Sequence, residues 1–402
     1  MKTPPTSSPA DPMDSTATHG VVVVGGGVAG LSAALTLVRA GVSVRVLERT
    51  DYSAWRPGET LSPVAWAELR QLLAPEPLEP EGFLESHGLE ATWGSERPHH
   101  HSFLANPYGS GWHVERRHLD ALLARHAQSL QVPLWRDTCV THLEREGHGW
   151  RVRVRTPRGP AELRCEALVD ATGRSAQVAR RQGVRRRDWD ALCSVSGVID
   201  RPPGFPEQHL VVEATPRGWW YAAPLPGGHL ILTLLSDVDV LQRHDALRPA
   251  GWSALFSSTR HLRERVGGLE AVTRLHVRRC ETSRLEHAAG EGWVAVGDAA
   301  AMWDPLSSSG ILKALRTGRA AARALCAALG GHSGALEEYA RQQAEEFSRY
   351  LSARQAHYSL EQRWAGEDFW RRRLDARAAS HPRADDTGAV RVSTLPISGG
   401  TG

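Results

Sequence analysis

The sequence predicts an α/β fold in which strands and helices alternate around a parallel sheet. An antiparallel sheet is interleaved with them, and a helical segment forms the C-terminal part. Residues 21–24 (VVVV) are a continuous β-branched run, typical of a parallel strand buried on both faces. Between residues 210 and 235, apolar and polar side chains alternate in short stretches, which favours antiparallel strands. Residues 311–329 and 336–359 have helical character.

The size and composition indicate one large domain or two. The 402 residues suffice to bury a large core, and the net charge of +3 does not indicate a nucleic acid or an anionic membrane as partner. The five cysteines are scattered and lack a C-x-x-C pair, which disfavours a disulfide framework or a metal site. Because residues 1–19 lack the apolar core of a secretory signal and no apolar run could span a bilayer, we expect a cytoplasmic protein.

A dinucleotide-binding unit is predicted near the start of the chain. The valine strand runs into a G-x-G-x-x-G turn made by Gly25, Gly27 and Gly30. A helix-forming run and a second strand follow, and that strand ends at Glu48, 18 residues after Gly30. In this context the glycines permit a close backbone approach to a pyrophosphate, and the acid binds ribose hydroxyls. The acid favours an unphosphorylated ribose, and therefore FAD or NAD rather than NADP.

Four further segments bear on the choice between these cofactors. Residues 56–63 (RPGETLSP) form a second glycine/proline loop before a helix, and residues 114–120 (VERRHLD) begin another helix. Residues 168–175 (LVDATGRS) end an apolar strand in a turn, for which a structural role is favoured over catalysis. Residues 297–310 (GDAAAMWDPLSSSG) link a strand to a helix. The free N–H groups and the dipole of that helix suit an electron-rich partner.

Taken in order, these motifs resemble the flavoprotein monooxygenases of the aromatic-hydroxylase type and the related flavin-dependent halogenases, over about residues 20–375. The resemblance implies a Rossmann-type, glutathione-reductase-like domain with FAD as cofactor. The residues that it implies for FAD binding are Gly25, Gly27, Gly30, Glu48, Arg49, Arg56, Arg116, Val140, Ala171, Gly297, Asp298, Gly310 and Ile311. It implies that the catalytic loop next to the flavin ring contains Pro305, Ser309 and Gly310.

Domain boundaries follow from these motifs and from composition. The predicted segments are a disordered arm (1–19), an FAD-binding domain (20–175 and 286–335, with part of the substrate region near 75–113), a substrate domain (176–285), C-terminal helices (336–378) and a disordered tail (379–402). Residues 219–221 (WWY) could line an apolar pocket or serve ordinary sheet packing. The three histidines at 99–101 favour a loop over a metal site, because consecutive strand residues cannot all face one ion. One of them, or His113, remains open as an acid/base.

The C-terminal motif extends the resemblance. The pattern RW (363–364) followed by FWRRR (369–373) is similar to the halogenase-like branch that includes maturases of quinone cofactors. Those enzymes hydroxylate a Trp or Tyr side chain within a partner polypeptide. The alternative interpretation is a helix whose aromatic side chains pack back on the body of the protein, and both interpretations can hold together.

Lysine usage separates the two chemistries that the resemblance implies. Both chemistries pass through a flavin C4a-hydroperoxide: a hydroxylase transfers oxygen directly to the ring, whereas a halogenase oxidises halide and needs a lysine near the substrate. Only Lys2 and Lys313 are lysines, and neither lies in the region 81–113 where the resemblance places that residue. The halogenase W-x-W-x-I-P motif is also absent. The sequence therefore favours hydroxylation of an aromatic ring over halogenation.

Two other functions remain open at this level. An FAD-dependent reductase of isoprenoid double bonds shares several loops, but its usual cysteine is missing from residues 56–63. A non-catalytic flavin-binding partner of another enzyme is the third hypothesis. Because the chain contains no second G-x-G-x-x-G unit, the electron donor is either NAD(P)H that docks transiently or a separate flavin reductase.

Overall fold

The computed structural model describes residues 18–75, 82–269 and 272–375. The predicted disordered tail lies outside these residues, as does the predicted arm up to residue 17. The first strand begins at Thr18, inside the segment predicted as arm. Among the helices of the described ranges, none is long and apolar enough to cross a membrane.

The regular elements alternate between strands and helices along the described chain. The strands are β1 (Thr18–Val24), β2 (Val44–Leu47), β3 (Thr60–Leu61), β4 (Phe83–Ser86), β5 (Gly88–Thr92), β6 (His99–Ser102), β7 (Gly111–Val114), β8 (Leu134–Trp135), β9 (Cys139–Glu146), β10 (Gly149–Thr156), β11 (Gly159–Asp170), β12 (Arg186–Asp188), β13 (Leu192–Asp200), β14 (His209–Thr215), β15 (Gly218–Leu225), β16 (His229–Asp237), β17 (His276–Arg279), β18 (Ser283–Leu285), β19 (Ala289–Gly290), β20 (Trp293–Ala295) and β21 (Ala301–Met302). The α-helices are α1 (Val28–Arg39), α2 (Pro63–Leu73), α3 (Arg116–Ser129), α4 (Gln177–Arg181), α5 (Val238–Arg243), α6 (Pro249–Phe256), α7 (His261–Val266), α8 (Gly310–Leu329), α9 (Ala335–Tyr358) and α10 (Asp368–Leu374). Short 3-10 helices span Gly173–Ser175, Gly297–Ala299 and Pro305–Ser307.

The first sheet brings the ends of distant strands to one edge. Its order is β19-β20-β11-β1-β2-β8, and β20, β11, β1, β2 and β8 run parallel. Val24 pairs with both Leu47 and Asp170, and Asp170 pairs with Ala295. The residues that follow these strand ends therefore meet at the carboxyl edge, where ligands of open α/β sheets bind. This edge collects the glycine turn, Glu48, Ala171 and the turn at Gly297.

Helices α1 and α8 pack closely beside this edge. A methyl group at Gly318 would lie 2.4 Å from the carbonyl oxygen of Ala29, so only glycine permits the observed approach of the two helices. The Ser32 hydroxyl donates a hydrogen bond to the Leu315 carbonyl at 2.8 Å. This contact fixes the start of α8 relative to the start of α1.

The second large sheet has the order β17-β13-β16-β15-β14-β5-β6, and five of its strands lie in the segment predicted as the substrate domain (176–285). Its pairs are antiparallel, as predicted, except that β14 and β5 run parallel. Trp220 lies on one face, in a cluster with Trp252 and Phe256 from the helices that cover it. Trp219 lies on the opposite face, in a cluster that includes Tyr358 from the C-terminal part.

The prediction of a loop at His99–His101 was wrong. These histidines belong to β6, an exposed strand in which Leu89 pairs with His101 and Ala91 pairs with His99. The pairing partner β5 precedes β6 by only a few residues, and an exposed edge strand has no apolar alternation by which sequence alone could reveal it. In the described part of the chain, no group of three or more His, Cys, Asp or Glu side chains is arranged to hold a metal ion.

Candidate functional site

The glycine turn combines two close contacts with one open position. Gly25 has φ +106°, and a methyl group there would lie 2.2 Å from the Ala171 carbonyl oxygen. A methyl group at Gly30 would lie 2.0 Å from the Gly25 carbonyl oxygen. At Gly27, by contrast, the nearest atom to such a group is Nη2 of Arg116, 4.0 Å away. Packing requires glycine at positions 25 and 30, whereas Gly27 leaves space in front of α1.

The N-terminus of α1 faces this space. Gly27 is its N-cap, no side chain among the described residues caps it, and its first turn carries no acid. The first backbone N–H groups of a helix and its positive dipole end attract anions. The geometry therefore suits a pyrophosphate, which is the group that the sequence predicted here.

Glu48 is buried and held by its neighbours at the end of β2. Its Oε2 accepts a hydrogen bond from the Gly26 N–H at 2.8 Å, and its Oε1 accepts one from the Thr50 N–H at 3.0 Å. Arg56 places Nη2 3.1 Å from Glu48 Oε1 and Nη1 3.3 Å from Asp120 Oδ2. Glu48 and Arg56 thus lie together at the sheet edge. Arg49, also predicted to bind the cofactor, is exposed next to them.

Arg116 connects the two glycine loops. Its Nε donates to Asp120 Oδ1 at 3.0 Å, which orients the guanidinium group. Its Nη1 lies 2.9 Å from where a methyl group on Gly58 would stand, and Nη2 points towards Gly27. The two loops therefore share one cation at the mouth of the α1 site. Asp120 was not identified from the sequence; its position four residues after Arg116 on one helix face was the available signal.

Val140 and Ala171 lie beside this edge with different surroundings. The Val140 side chain is buried in the core, and its carbonyl oxygen accepts a hydrogen bond from Gln177 Nε2 at 3.3 Å. Ala171 follows β11 and faces the Gly25 backbone. The preceding Asp170 carboxylate accepts hydrogen bonds from Thr172, including its hydroxyl at 2.6 Å, and from two backbone amides of α4. These contacts agree with a structural role for Asp170.

The turn at Gly297 presents Asp298 to the same edge. Gly297 has φ +56°, and its N–H donates to Thr317 Oγ1 on α8 at 2.9 Å. The Asp298 carboxylate is 56% exposed and lies 2.7 Å from Nζ of Lys313. Burial opposes ionisation, but the positive charges of Lys313, Arg116 and Arg186 together outweigh this effect and lower the pKa of Asp298. Asp298 is therefore an anionic hydrogen-bond acceptor with an open side.

Lys313 is almost completely buried. Its side chain is 3% exposed, and its ammonium group donates to Asp298 Oδ1 and to the Ala301 carbonyl oxygen. The same group lies 5.4 Å from the centre of the Trp303 ring. Lys313 therefore stabilises the Gly297 turn from the protein interior and does not project into open space.

The predicted catalytic loop is fastened through Asp304. Oδ1 of Asp304 accepts from the Leu306 N–H at 3.0 Å, which caps the 3-10 turn that begins at Pro305. Oδ2 accepts from the Tyr358 hydroxyl at 2.7 Å and lies 3.3 Å from Nε of Arg354, both on α9. Asp304 was not among the predicted residues, because its partners lie about fifty residues away in the chain.

The end of this loop opens α8. Ser309 is the N-cap of the helix, and its hydroxyl donates to the Ser307 carbonyl oxygen at 2.7 Å instead of capping α8. Gly310 is exposed, and Ile311 is buried. Within the described chain no side chain caps this helix, and its first turn has no acid. The α8 N-terminus is thus a second position that suits an electron-rich group.

The sequence analysis missed a contact between Glu59, a buried acid of the second loop, and Tyr221. The Tyr221 hydroxyl donates to Glu59 Oε2 at 3.1 Å, while Glu59 Oε1 is buried and has no partner among the described residues. Burial raises the pKa of Glu59, against the opposing effects of Tyr221 and Arg116. The available signal was a single acid inside the loop 56–63, directly before β3. Its partner on β15 could not be identified from spacing.

His113, which the sequence left open as an acid/base, is completely buried in β7. Neither ring nitrogen has a hydrogen-bond partner in the described structure. Burial, with a smaller effect of His209, lowers its pKa to about 4, so the ring is neutral at physiological pH.

Comparisons with known proteins bear on the family, the fold and the cofactor. The chain is 28% identical over 367 residues to the putative FAD-dependent oxidoreductase LodB of Marinomonas mediterranea, covering 90% of this chain and 99% of the relative. Its fold is similar to that of CmlS, a flavin-dependent halogenase (TM-score 0.80, 22% identity, 92% of this chain and 69% of that one). It is also similar to that of QhpG, a peptidyl tryptophan dihydroxylase (TM-score 0.74, 24% identity, 89% and 79%). These two likenesses concern the fold alone.

The family model described as FAD binding domain matches residues 18–351, which is most of the chain. The fold class, the resemblance to flavin-dependent hydroxylases and halogenases, and FAD as the cofactor, all predicted from the sequence, are confirmed. This chain belongs to the FAD binding domain family and is an FAD-dependent oxidoreductase.

Proposed function

We propose that this protein is a monooxygenase that uses FAD and dioxygen to hydroxylate an aromatic ring. The observation that carries this proposal is that the Lys313 ammonium group is occupied by partners within the protein. Lys313 is the sole lysine among the described residues, and its ammonium group is bound to Asp298 and to the Ala301 carbonyl. Halogenation is the competing chemistry, and both kinds of enzyme occur among the structural relatives.

A halogenase needs an amine that can reach both the oxidised halide and the substrate. Lys313 cannot do so while its ammonium group is bound to the Asp298 carboxylate and to the Ala301 carbonyl oxygen within the turn. Arginine, which supplies nearly all other basic residues here, is always charged and is a poor substitute for a lysine amine. Direct oxygen transfer requires no such amine. The side chains present therefore favour hydroxylation.

The residues at the sheet edge fit FAD, and we infer their roles from their positions. The open space at Gly27, the uncapped α1 and the Arg116 guanidinium would hold the pyrophosphate. Glu48 would bind the adenosine ribose, and Asp298 the ribityl chain. Lining of the flavin ring is assigned to the Pro305 turn and the start of α8, namely Pro305, Ser309, Gly310 and Ile311. Adjacent supporting positions are assigned to Arg49, Arg56, Val140, Ala171 and Gly297.

When bound and reduced, FAD supplies the two electrons that activate dioxygen. The part of the protein is to position the reactants and to keep water out of the site. Asp304 fixes the Pro305 turn through Tyr358 and Arg354, so that a bound flavin ring would meet a rigid loop. Trp219 and Tyr221 of the second sheet pack in one apolar cluster with Leu306 of this loop, and this cover would keep water from the ring.

A Trp or Tyr side chain of a partner polypeptide, modified during quinone-cofactor biogenesis, is the substrate class that we propose. Its support is the C-terminal motif and the likeness to QhpG, a peptidyl tryptophan dihydroxylase of tryptophylquinone cofactor biogenesis. The two aromatic residues of FWRRR are internal: Phe369 and Trp370 are buried, and the Trp370 indole N–H donates to the Thr215 carbonyl at 2.8 Å. The motif therefore holds the covering sheet in place, and contact with a peptide would have to come from other residues.

Product analysis tests the proposed reaction. The FAD-loaded enzyme is reduced and mixed with heavy-isotope dioxygen, with and without bromide, in the presence of tryptophan, tyrosine, or short peptides that contain either residue. We expect one heavy oxygen atom in the product whether or not bromide is present. A brominated product without an oxygenated one would refute the proposal. Reduction of isoprenoid double bonds without oxygen consumption would favour the reductase alternative.

The electron donor is tested separately. Flavin bleaching under anaerobic conditions is followed after addition of NADH, of NADPH, or of either nucleotide together with a flavin reductase. Rapid bleaching by the nucleotide alone indicates transient docking of NAD(P)H. Bleaching that requires the reductase indicates that a partner enzyme delivers the electrons.

A further inference from the structure

A row of polar side chains crosses the inner face of the second sheet. Tyr221 on β15 pairs in register with Thr233 on β16, and Thr233 pairs with Ser196 on β13. Ser196 pairs in turn with His276 on β17. Residues in register on neighbouring strands share one face of a sheet, so these four side chains form a continuous row. Thr233 Oγ1 donates to Ser196 Oγ at 2.8 Å, and both hydroxyls are buried.

This row ends at Glu59, in the second glycine loop. The Tyr221 hydroxyl donates to Glu59 Oε2 at 3.1 Å, whereas Oε1 is buried with no partner in the described ranges. The backbone N–H groups of Gly58 and Glu59 attract the carboxylate but make no hydrogen bond to Oε1. A buried acceptor without a donor is destabilising, so the position suits a donor from outside the chain.

The end of the row lies where the two parts of the site meet. The glycine before Glu59 packs against Arg116, which also points towards the α1 site. Tyr221 and Leu306, the residue after Pro305, pack against the same apolar cluster beneath the sheet. Glu59 Oε1 is therefore an acceptor in the region between the proposed flavin loop and the covering sheet.

Resting on the function proposed above, we propose that Glu59 is a catalytic residue whose Oε1 accepts the ring N–H or O–H of the aromatic substrate. Tyr221 is a positioning residue that holds the carboxyl group through Oε2. An indole or a phenol carries the required donor in the plane of the ring, so one acceptor fits both. The proposal gives the substrate class a specific contact, which the internal C-terminal motif does not supply.

Each proton of the proposed reaction has a donor and an acceptor. As oxygen is transferred to the ring, the substrate N–H or O–H bond breaks and Glu59 Oε1 takes the proton, which raises the electron density of the ring. When the ring carbon then loses its own proton to water and aromaticity returns, Glu59 gives its proton back to the ring heteroatom. Dioxygen is the oxidant: one oxygen atom enters the product, the other leaves as water, and reduced FAD supplies both electrons.

The charges around Glu59 suit this role. Arg116 faces it from α3 and Tyr221 from β15, while the Cys280 thiol lies near the Tyr221 phenol. Burial raises the pKa of Glu59 despite Arg116 and Tyr221. A carboxylate whose pKa is raised towards the working pH is a better general base than a free one. Burial also keeps Tyr221 neutral, with its pKa well above the usual range, so the phenol remains a donor.

Substrate binding to the oxidised, FAD-loaded enzyme tests the contact without turnover. The perturbation of flavin absorbance gives a Kd for tryptophan and for its ring-N-methyl analogue, and for tyrosine and its O-methyl ether. We expect the wild-type enzyme to prefer the unmethylated member of at least one pair by about tenfold, as the loss of one hydrogen bond implies. Glu59→Met should abolish this preference. Glu59→Gln, which keeps an acceptor oxygen but cannot take a proton, should retain it.

Turnover then separates positioning from proton transfer. Glu59→Gln should lower kcat with little change in KM and should remove the acid limb of the kcat–pH profile. Tyr221→Phe removes a donor that lowers the pKa of Glu59, so that limb should move to higher pH. Matched controls are Glu213→Gln, a buried acid that binds backbone amides on α7, and Tyr339→Phe, a buried phenol bound to the Ala295 carbonyl. Neither control should change the preference or the pH limb.

Two results overturn the inference. One is a wild-type enzyme without preference in either pair, including one that binds none of the four probes. The other is a Glu59→Met enzyme that keeps the preference. A halogenated product combined with a Glu59-dependent preference would instead overturn the proposed hydroxylation and leave the substrate contact in place.

Discussion

The ammonium group of Lys313 donates a hydrogen bond to the Asp298 carboxylate at 2.7 Å, from a position that is nearly closed to solvent. This pair joins the first turns of α8 to the Gly297 turn. Although Lys313 follows the predicted catalytic loop directly, its role is therefore to stabilise the protein structure.

Lys313→Met should lower the free energy of unfolding by about 1–3 kcal/mol, because the Ala301 carbonyl loses its donor. Urea unfolding of the FAD-free protein measures this change. Arg316→Met, on the same helix and paired with Glu68 on the surface at 3.0 Å, is the control and should cost no more than about 1 kcal/mol. Equal losses in the two variants would contradict the buried role of Lys313.

Gly27→Ala should affect FAD binding, whereas Gly25→Ala should affect folding. A methyl group at Gly27 would have no neighbour closer than 4.0 Å, so the FAD-free protein should keep its Tm. Because the methyl group would occupy the space proposed for the pyrophosphate, the Kd for FAD should rise at least about tenfold. Gly25→Ala should instead impair folding itself, because its methyl group meets the Ala171 carbonyl in a left-handed backbone conformation. Gly204→Ala, which has open space around it, controls for both. Unchanged FAD affinity in Gly27→Ala would refute the proposed pyrophosphate site.

Arg354→Met should destabilise the protein by about 3–5 kcal/mol, as expected when a buried ion pair loses one partner. Arg354 lies 2.7 Å from Asp190 Oδ2 and 3.3 Å from Asp304 Oδ2, and its removal takes away the cation that bridges these two carboxylates. Because Asp304 fixes the Pro305 turn, the flavin ring of bound FAD should also become more mobile, which a lower fluorescence anisotropy would show. Arg349→Met, exposed on the same helix, should change neither quantity.

Asp237 should contribute stability that depends on pH. Burial opposes its ionisation, but Arg373 at 2.8 Å and Arg372 at 2.9 Å outweigh this effect and lower its pKa. Because the folded-state pKa lies below the unfolded value, the contribution is present above about pH 4 and is lost as the pH falls through the folded-state pKa. Asp237→Asn should therefore lower the Tm near neutral pH and have a smaller effect in acid. Asp200→Asn, at an exposed carboxylate, should show no such trend.

Much of the fold could be predicted because its signals are local. The valine strand, the glycine turn and the acid at Glu48 follow one another within about thirty residues, and each has a steric or electrostatic reason that is visible in the sequence. The helix start at Gly310 was predicted for the same reason. The edge strand at His99–His101 was missed because its pairing has no apolar periodicity.

Taken by itself, the sequence determined the family, the cofactor and the order of the motifs, since close backbone approach and helix dipoles depend on residues that are neighbours in the chain. The tertiary structure decided which side chains meet. It placed Arg116 between two glycine loops, enclosed Lys313 under its turn, fastened Asp304 to α9, and brought Glu59 to Tyr221 across more than 160 residues. Such pairs arise from the packing of distant strands and helices, and spacing along the chain carries no information about them.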